Sequence, residues 1–281
     1  MKNPIAHLSE LQQRVITAIF GIILILNALY WSEWGYFALF FVICLLAQLE
    51  FYKLLKLDEA LVPLQTFGTI NGLFIYVMTF FIEKENLPAH YYHLIFVGLS
   101  GAYFIKLYGY KHKKDIKPFA NIGFTFLGVL YVAVPFALLN SVIFNPDGSY
   151  SWHIVMGCLF ILWANDTGAY FSGKNFGKHK LFQTVSPKKT WEGSIGGGIF
   201  AVSIGLIQSF WLTDLKQWEW LGVSIIIVVA GTYGDLVESM FKRSINIKDS
   251  AHTIPGHGGF LDRFDGLLLA APFIAAFLKL L

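Results

Sequence analysis

Hydrophobic residues run through this chain in blocks of about 20, the length a helix needs to cross a hydrocarbon layer at about 1.5 Å per residue. The blocks lie at 14–31, 34–55, 66–82, 91–108, 119–144, 152–172, 193–213, 218–238 and 260–281. They predict an all-α protein with about nine membrane helices. The fourth block, and the ninth with charges at its start, are the weakest of the set, so eight or ten spans fit the same pattern. The polar segments between blocks are short, with no internal repeat or low-complexity tract. The chain, 1–281, therefore reads as one integral-membrane domain.

Composition agrees. The 281 residues are 56% hydrophobic and 17% aromatic, and only 14% are charged, against about 25% charged in an ordinary soluble chain. A formal charge of +3 is too small to point to nucleic acid. Cys44 and Cys158 lie inside apolar blocks and form no disulfide framework or zinc spacing. The polar start MKNPIAHLSELQQ has no small-residue cleavage site after an early apolar core, so it is expected to be retained.

Lysine and arginine orient the spans. Even loops hold Lys53 and Lys56; Lys106, Lys111, Lys113, Lys114 and Lys117; Lys174, Lys178, Lys180, Lys188 and Lys189; and Lys242, Arg243 and Lys248. Odd loops hold only Lys84 and Lys216. The positive-inside rule then puts the N-terminus and every even loop in the cytoplasm. Trp31, Trp34, Trp152, Trp218 and Trp220 fall at the outer ends, where interfacial aromatics belong. His90, His93, His112 and His153 read as interfacial too.

The two halves differ in chemistry. Up to about residue 150 the spans are nearly free of charge, with Arg14 and Glu50 at their edges. Glu50 fits either snorkelling or a site role. From 151 to 281 every span carries polar groups near one end. Asn165 and Asp166 lie roughly 20 Å below Trp152, and Asp235 about 26 Å below Trp218. Asp262 and Asp265 open the last span. Four consecutive spans thus bring acids and bases to one depth, near the cytoplasmic headgroups.

Asp235 with Glu238, and Asp262 with Asp265, are i,i+3 pairs that share a helix face. Such a gathering of oxygen ligands favours a hard cation such as Mg²⁺. Lys242, Arg243, Lys248, His252 and His257 surround Pro255–Gly259, whose glycines allow close backbone approach to a phosphate. Lys188 and Lys189 precede a span start that can aim N–H groups at an anion. Carboxylates, bases and glycine loops together point to phosphoryl or nucleotidyl transfer.

Plainer readings exist for single features. Glu238 and Lys242 form an i,i+4 pair that fits a surface salt bridge, and Asp265 could pair with Arg263 or cap its helix. Lys111, Lys113 and Lys114 serve topology. Gly196–Gly198 suits close helix packing. Gly168–Lys174 has Walker A spacing, but Asn175 stands where Ser or Thr should hold Mg²⁺, and the segment follows a membrane helix, so it is no P-loop.

Ser239–Asp249 followed by Pro255–Asp265 resembles the signature of the phosphatidate cytidylyltransferases (CDP-diacylglycerol synthases). Arg14–Ala18, Asn165–Tyr170 and Ser186–Gly193 are similar to further segments of that family. The resemblance implies a polytopic, Mg²⁺-dependent enzyme, with a second cation possible. It would act at the cytoplasmic face of the cell membrane, as a homodimer, converting CTP and phosphatidate to CDP-diacylglycerol and pyrophosphate. It implies Asp235 and Asp262 as the foremost metal ligands, with Glu238 and Asp265 next. Catalytic roles then fall to Asp235, Asp262, Asp265, Lys248, His257 and Arg263. Substrate would be held by Lys188, Lys189, Lys242, Arg243, Asp249, Ser186, Gly258 and Gly259, with Asn165 and Asp166 lining the cavity. Two other functions fit the charge pattern: a transporter or channel, and a CTP-dependent lipid kinase.

Overall fold

Each apolar block forms a helix in the computed structural model, which describes residues 10–58, 61–109, 117–145, 147–247 and 258–280. The helices are α1 Glu10–Trp31, α2 Glu33–Leu55, α3 Gln65–Lys84, α4 His93–Gly109, α5 Pro118–Val142, α6 His153–Phe176, α7 Trp191–Gln208, α8 Gln217–Ser244 and α9 Leu261–Lys279. Five of them (α2, α3, α5, α6 and α8) are long and apolar enough to cross a membrane. The apolar part of α1 is shorter, Val15–Trp31. Helices α4 and α7 have 17 and 18 residues, and α9 has three charges in its first turns. The outward side chains are apolar, among them Phe96, Phe104, Phe119, Ile199 and Phe273. This is the kind of surface that lipid would cover.

Local chemistry sets the breaks. Ser32 separates α1 from α2 by accepting a hydrogen bond from Gly35 N at 3.1 Å, an N-cap. Thr190 does the same for α7 with Gly193 N at 3.2 Å. Pro118 occupies the first turn of α5, where a missing N–H costs nothing. Asn86, two residues past the end of α3, takes a left-handed φ of 48°. What the sequence reads as the sixth loop contains an antiparallel hairpin, β1 Lys180–Phe182 with β2 Ser186–Thr190, pairing Lys180 with Thr190 and Phe182 with Ser186.

The core is built by α2, α3, α5, α6, α8 and α9, through Phe40, Phe51, Tyr76, Phe136, Trp220 and Leu267 among others. One buried polar network joins three of these helices. Asn140 donates to Tyr76 O and to Thr79 Oγ1, both at 2.9 Å, and accepts from Tyr36 Oη at 2.9 Å. Helices α6 and α7 are neighbours along most of their length. A Cβ at Gly197 would lie 2.6 Å from Asn165 O, so only glycine permits that approach, as the packing reading of Gly196–Gly198 expects. One expectation fails here: Trp220 is 0% exposed and faces the core, its indole donating to Leu212 O at 2.9 Å. His153 pairs with Asp214 Oδ1 at 2.8 Å, which ties α6 to the α7–α8 connection. Both pairings join residues that no local spacing relates.

Two helices depart from α geometry. Val129–Ala133 in α5 and Ile227–Gly231 in α8 are π-helical. The wider turn admits an extra residue and re-aims the side chains that follow, and such segments recur at functional sites.

Candidate active site

The π segment of α8 leads into Thr232–Ser244. There Asp235, Glu238 and Lys242 recur at helical spacing on one face. The opposing wall is the first turns of α9. The two backbones nearly touch: a Cβ at Gly234 would stand 2.5 Å from Asp265 O and 2.9 Å from Gly266 Cα. That crossing brings carboxylates from two helices together. Asp235, Glu238 and Asp265 each present an oxygen, and all three oxygens lie within 4.8 Å of one another. Glu238 is 1% exposed, and its Oε1 is buried without a hydrogen-bond partner among the described residues. Three convergent carboxylates, one with an unsatisfied buried oxygen, fit a hard divalent cation.

Cations border this cluster. Lys242 Nζ bridges Glu238 Oε2 and Asp262 Oδ1, both at 2.7 Å, with the lysine 12% exposed and Asp262 11%. The Glu238–Lys242 pair is therefore no solvated surface bridge. Lys189, from β2, sits 2.6 Å from Asp235 Oδ2 and donates to Thr232 O at 3.1 Å. The hairpin thus delivers a base to α8 across 46 residues of sequence (189 to 235). Asp166 on α6 lies in the field of Lys189, Asp235 and Arg263. Asp265 feels Asp235, Asp166 and Lys189.

The structure therefore gathers Asp166, Lys189, Asp235, Glu238, Lys242, Asp262, Arg263 and Asp265. Within this group Asp262 faces inward to Lys242 and accepts from Gly259 N at 2.9 Å, while the three-carboxylate cluster consists of Asp235, Glu238 and Asp265. Ser186 and the exposed Lys188 stand on β2 beside Lys189. Arg243 is exposed and reaches Ile247 O at 3.4 Å. Asn165 is buried at the α6–α7 crossing, its Oδ1 without a hydrogen-bond partner among the described residues. Gly258 has φ +84°, a left-handed turn that suits glycine. Lys248, Asp249 and His257 lie outside the described residues.

Two further groups come from the charge-poor half. Tyr131 rides on the π segment of α5. Its hydroxyl is buried with no hydrogen-bond partner among the described residues, and Glu238, Asp265 and Asp235 act on it electrostatically. A tyrosine in an apolar span carries no sequence signal of such a place. Glu50 was visible as a lone acid at the end of α2. Its carboxylate accepts from Phe260 N at 2.9 Å and Leu261 N at 3.4 Å, at the very start of α9.

Comparison with known proteins completes the picture. Residues 12–281 match the model of the cytidylyltransferase family. A protein of Haemophilus influenzae named phosphatidate cytidylyltransferase is 33% identical over 284 aligned positions, covering 95% of this chain and 98% of the relative. A protein of the same name from Staphylococcus aureus is 40% identical over 157 residues, 56% of this chain. That alignment spans 58% of the Staphylococcus relative's length. Matched across the full set of helices that build the acidic crossing, the chain belongs to the cytidylyltransferase family.

Proposed function

We propose that this chain transfers a cytidylyl group from CTP to phosphatidate, giving CDP-diacylglycerol and pyrophosphate. It would act at the cytoplasmic face of a cell membrane, with about nine spans and a cytoplasmic N-terminus. The observation that carries the reading is the approach of Asp235, Glu238 and Asp265 to within 4.8 Å, flanked by Lys189 and Lys242. Residues 151–281 would supply the chemistry and the helices before them the brace, within one membrane domain. The family resemblance adds a homodimer.

In the reaction a phosphate oxygen of phosphatidate forms a bond to the α-phosphorus of CTP, and the bond from that phosphorus to the bridging oxygen of pyrophosphate breaks. The nucleophile is already anionic near neutral pH, since a phosphomonoester has its second pKa at about 6. No general base is needed to take its proton. The difficulty is two polyanions meeting in line, so positioning and charge neutralisation make up the catalysis. Lys189, held on Asp235 and half-buried, can exchange that carboxylate for a phosphate oxygen. Arg263, exposed beside Asp166, can do the same. Lys248, His257 and Asp249 are assigned to phosphate and substrate contact by resemblance, as are Ser186, Lys188, Arg243, Gly258 and Gly259. Lys242 keeps Glu238 and Asp262 in register. Asp235, Glu238 and Asp265 would hold Mg²⁺, which supplies positive charge at the transferring phosphoryl group when bound.

The test is purified protein given phosphatidate and CTP labelled at the α-phosphate, with Mg²⁺ titrated from zero. Label in lipid together with release of pyrophosphate supports the transferase. Release of CDP with unlabelled lipid would make it a lipid kinase. Flux across sealed vesicles without nucleotide consumption would make it a transporter.

A further inference from the structure

Helix α9 begins at Leu261, directly after Gly258 and Gly259. The first N–H groups of any helix have no partner within it. Here they are met from two directions. Asp262 Oδ2 accepts from Gly259 N at 2.9 Å, a local contact. Glu50 Oε2 accepts from Phe260 N at 2.9 Å and Glu50 Oε1 from Leu261 N at 3.4 Å, from the end of another helix. Glu50 is 6% exposed and Leu261 is fully buried. A carboxylate in such a place is unfavourable unless N–H donors and positive charge meet it. The N-terminus of α9 offers both, through its free N–H groups and the positive end of its dipole.

The next residue on α2 grips the other wall. Phe51 stacks on Phe241 of α8, with ring centroids 5.0 Å apart and planes at 22°. Consecutive residues of α2 therefore hold the two helices whose carboxylates converge: Glu50 takes α9, and Phe51 takes α8. The glycines before α9 make this grip necessary, because they leave the helix start with little stiffness of its own.

We propose that Glu50 is a positioning residue of the acidic site. Its carboxylate caps α9 from α2 and so holds the turn bearing Asp262 and Asp265 in register with Asp235 and Glu238. Glu50 touches no reacting atom. With Glu50 seated there, the N–H groups of Phe260 and Leu261 are already engaged and do not offer themselves to a substrate phosphate. The consequence for activity rests on the acidic cluster being the transfer site; the cap does not.

The experiment compares full-length wild type, Glu50→Gln and Glu50→Ala in lipid nanodiscs. Amide hydrogen exchange is read in peptides over 258–265 and over 153–162, and cytidylyl transfer is measured as kcat and as the half-saturating Mg²⁺ concentration. Glu50→Ala is expected to speed exchange in 258–265 alone and to lower kcat or Mg²⁺ affinity by about 10–100-fold, the usual effect of losing a group that orients a metal ligand. Glu50→Gln keeps one oxygen acceptor and should recover part of both. Unchanged exchange in Glu50→Ala would refute the cap. Faster local exchange with wild-type kcat and Mg²⁺ dependence would refute positioning. Exchange raised equally in both segments for both variants would reduce Glu50 to general stability and overturn the proposal. Asp265→Asn run in parallel separates the premises: if it stays active, the cluster is not the site, whatever the exchange at 258–265 reports.

Discussion

Replacing Gly234 by alanine is the sharpest probe of how the site is assembled. The added Cβ would lie 2.5 Å from Asp265 O and 2.9 Å from Gly266 Cα, and both of those are backbone atoms that cannot swing aside. Ordinary contact begins at 3.4 Å, so α8 and α9 must part by about 0.9 Å, an overpacking strain of about 1–3 kcal/mol. The movement falls on the residue next to Asp235 and on Asp265 itself, and so spreads oxygens now within 4.8 Å of each other. A displacement of about 1 Å in a reacting geometry can cost on the order of 10²-fold in rate. Gly234→Ala should therefore lose most of its kcat, with a modest fall in thermal stability. The melt can be followed with a thiol-reactive dye, because Cys44 and Cys158 are buried until unfolding. The control is Gly123→Ala in α5, where a Cβ meets nothing within 4 Å. There alanine should keep full activity and gain up to about 1 kcal/mol from helix propensity. If the two variants transfer cytidylyl groups equally well, the helix crossing does not set the site.

Asp235→Asn and Asp265→Asn should each abolish transfer with an unchanged melt; near-normal activity in Mg²⁺ would remove the metal assignment. Lys242→Met should destabilise by about 3–5 kcal/mol, because it leaves two buried carboxylates facing each other without their cation. Lys189→Met should cost at most about 1 kcal/mol, since its partner Asp235 is 43% exposed; equal losses in the two variants would contradict this ranking by burial. Tyr131→Phe deletes a buried hydroxyl that has no partner among the described residues, so stability should hold or rise by about 1 kcal/mol. A fall in its kcat is expected if the hydroxyl meets substrate, and wild-type kinetics would restrict Tyr131 to packing near Phe51.

The helices were legible because each is written in one continuous stretch: the length of an apolar block and a serine, threonine or proline at its edge are local properties. The hairpin at Lys180–Thr190 was not, because Ser186-Pro-Lys-Lys-Thr190 shows no alternation, and its strands are defined only by pairing with each other. Trp220 looked interfacial by position, yet it was drawn inward by a carbonyl eight residues before it, Leu212 O. The site divides the same way. The i,i+3 spacing of Asp235 and Glu238 could be read from one helix. Which carboxylate of α9 joins them could not: Asp262 and Asp265 are equivalent in spacing, and the glycine crossing brings Asp265 to the cluster while Lys242 and Gly259 N hold Asp262.

By itself the sequence determined the helical class, the apolar blocks, the concentration of acids and bases in the second half, and the resemblance to a family. These follow from composition and short-range periodicity, which act along the chain. Only the tertiary structure decided that Tyr131, from the charge-poor half, lies in the field of the acidic cluster, and that Glu50, from the same half, meets the start of α9. Contacts across helices depend on how far two backbones approach and how each helix is rotated. Gly234 permits the close approach of α8 to α9, and Tyr131 is carried on the π turn of α5.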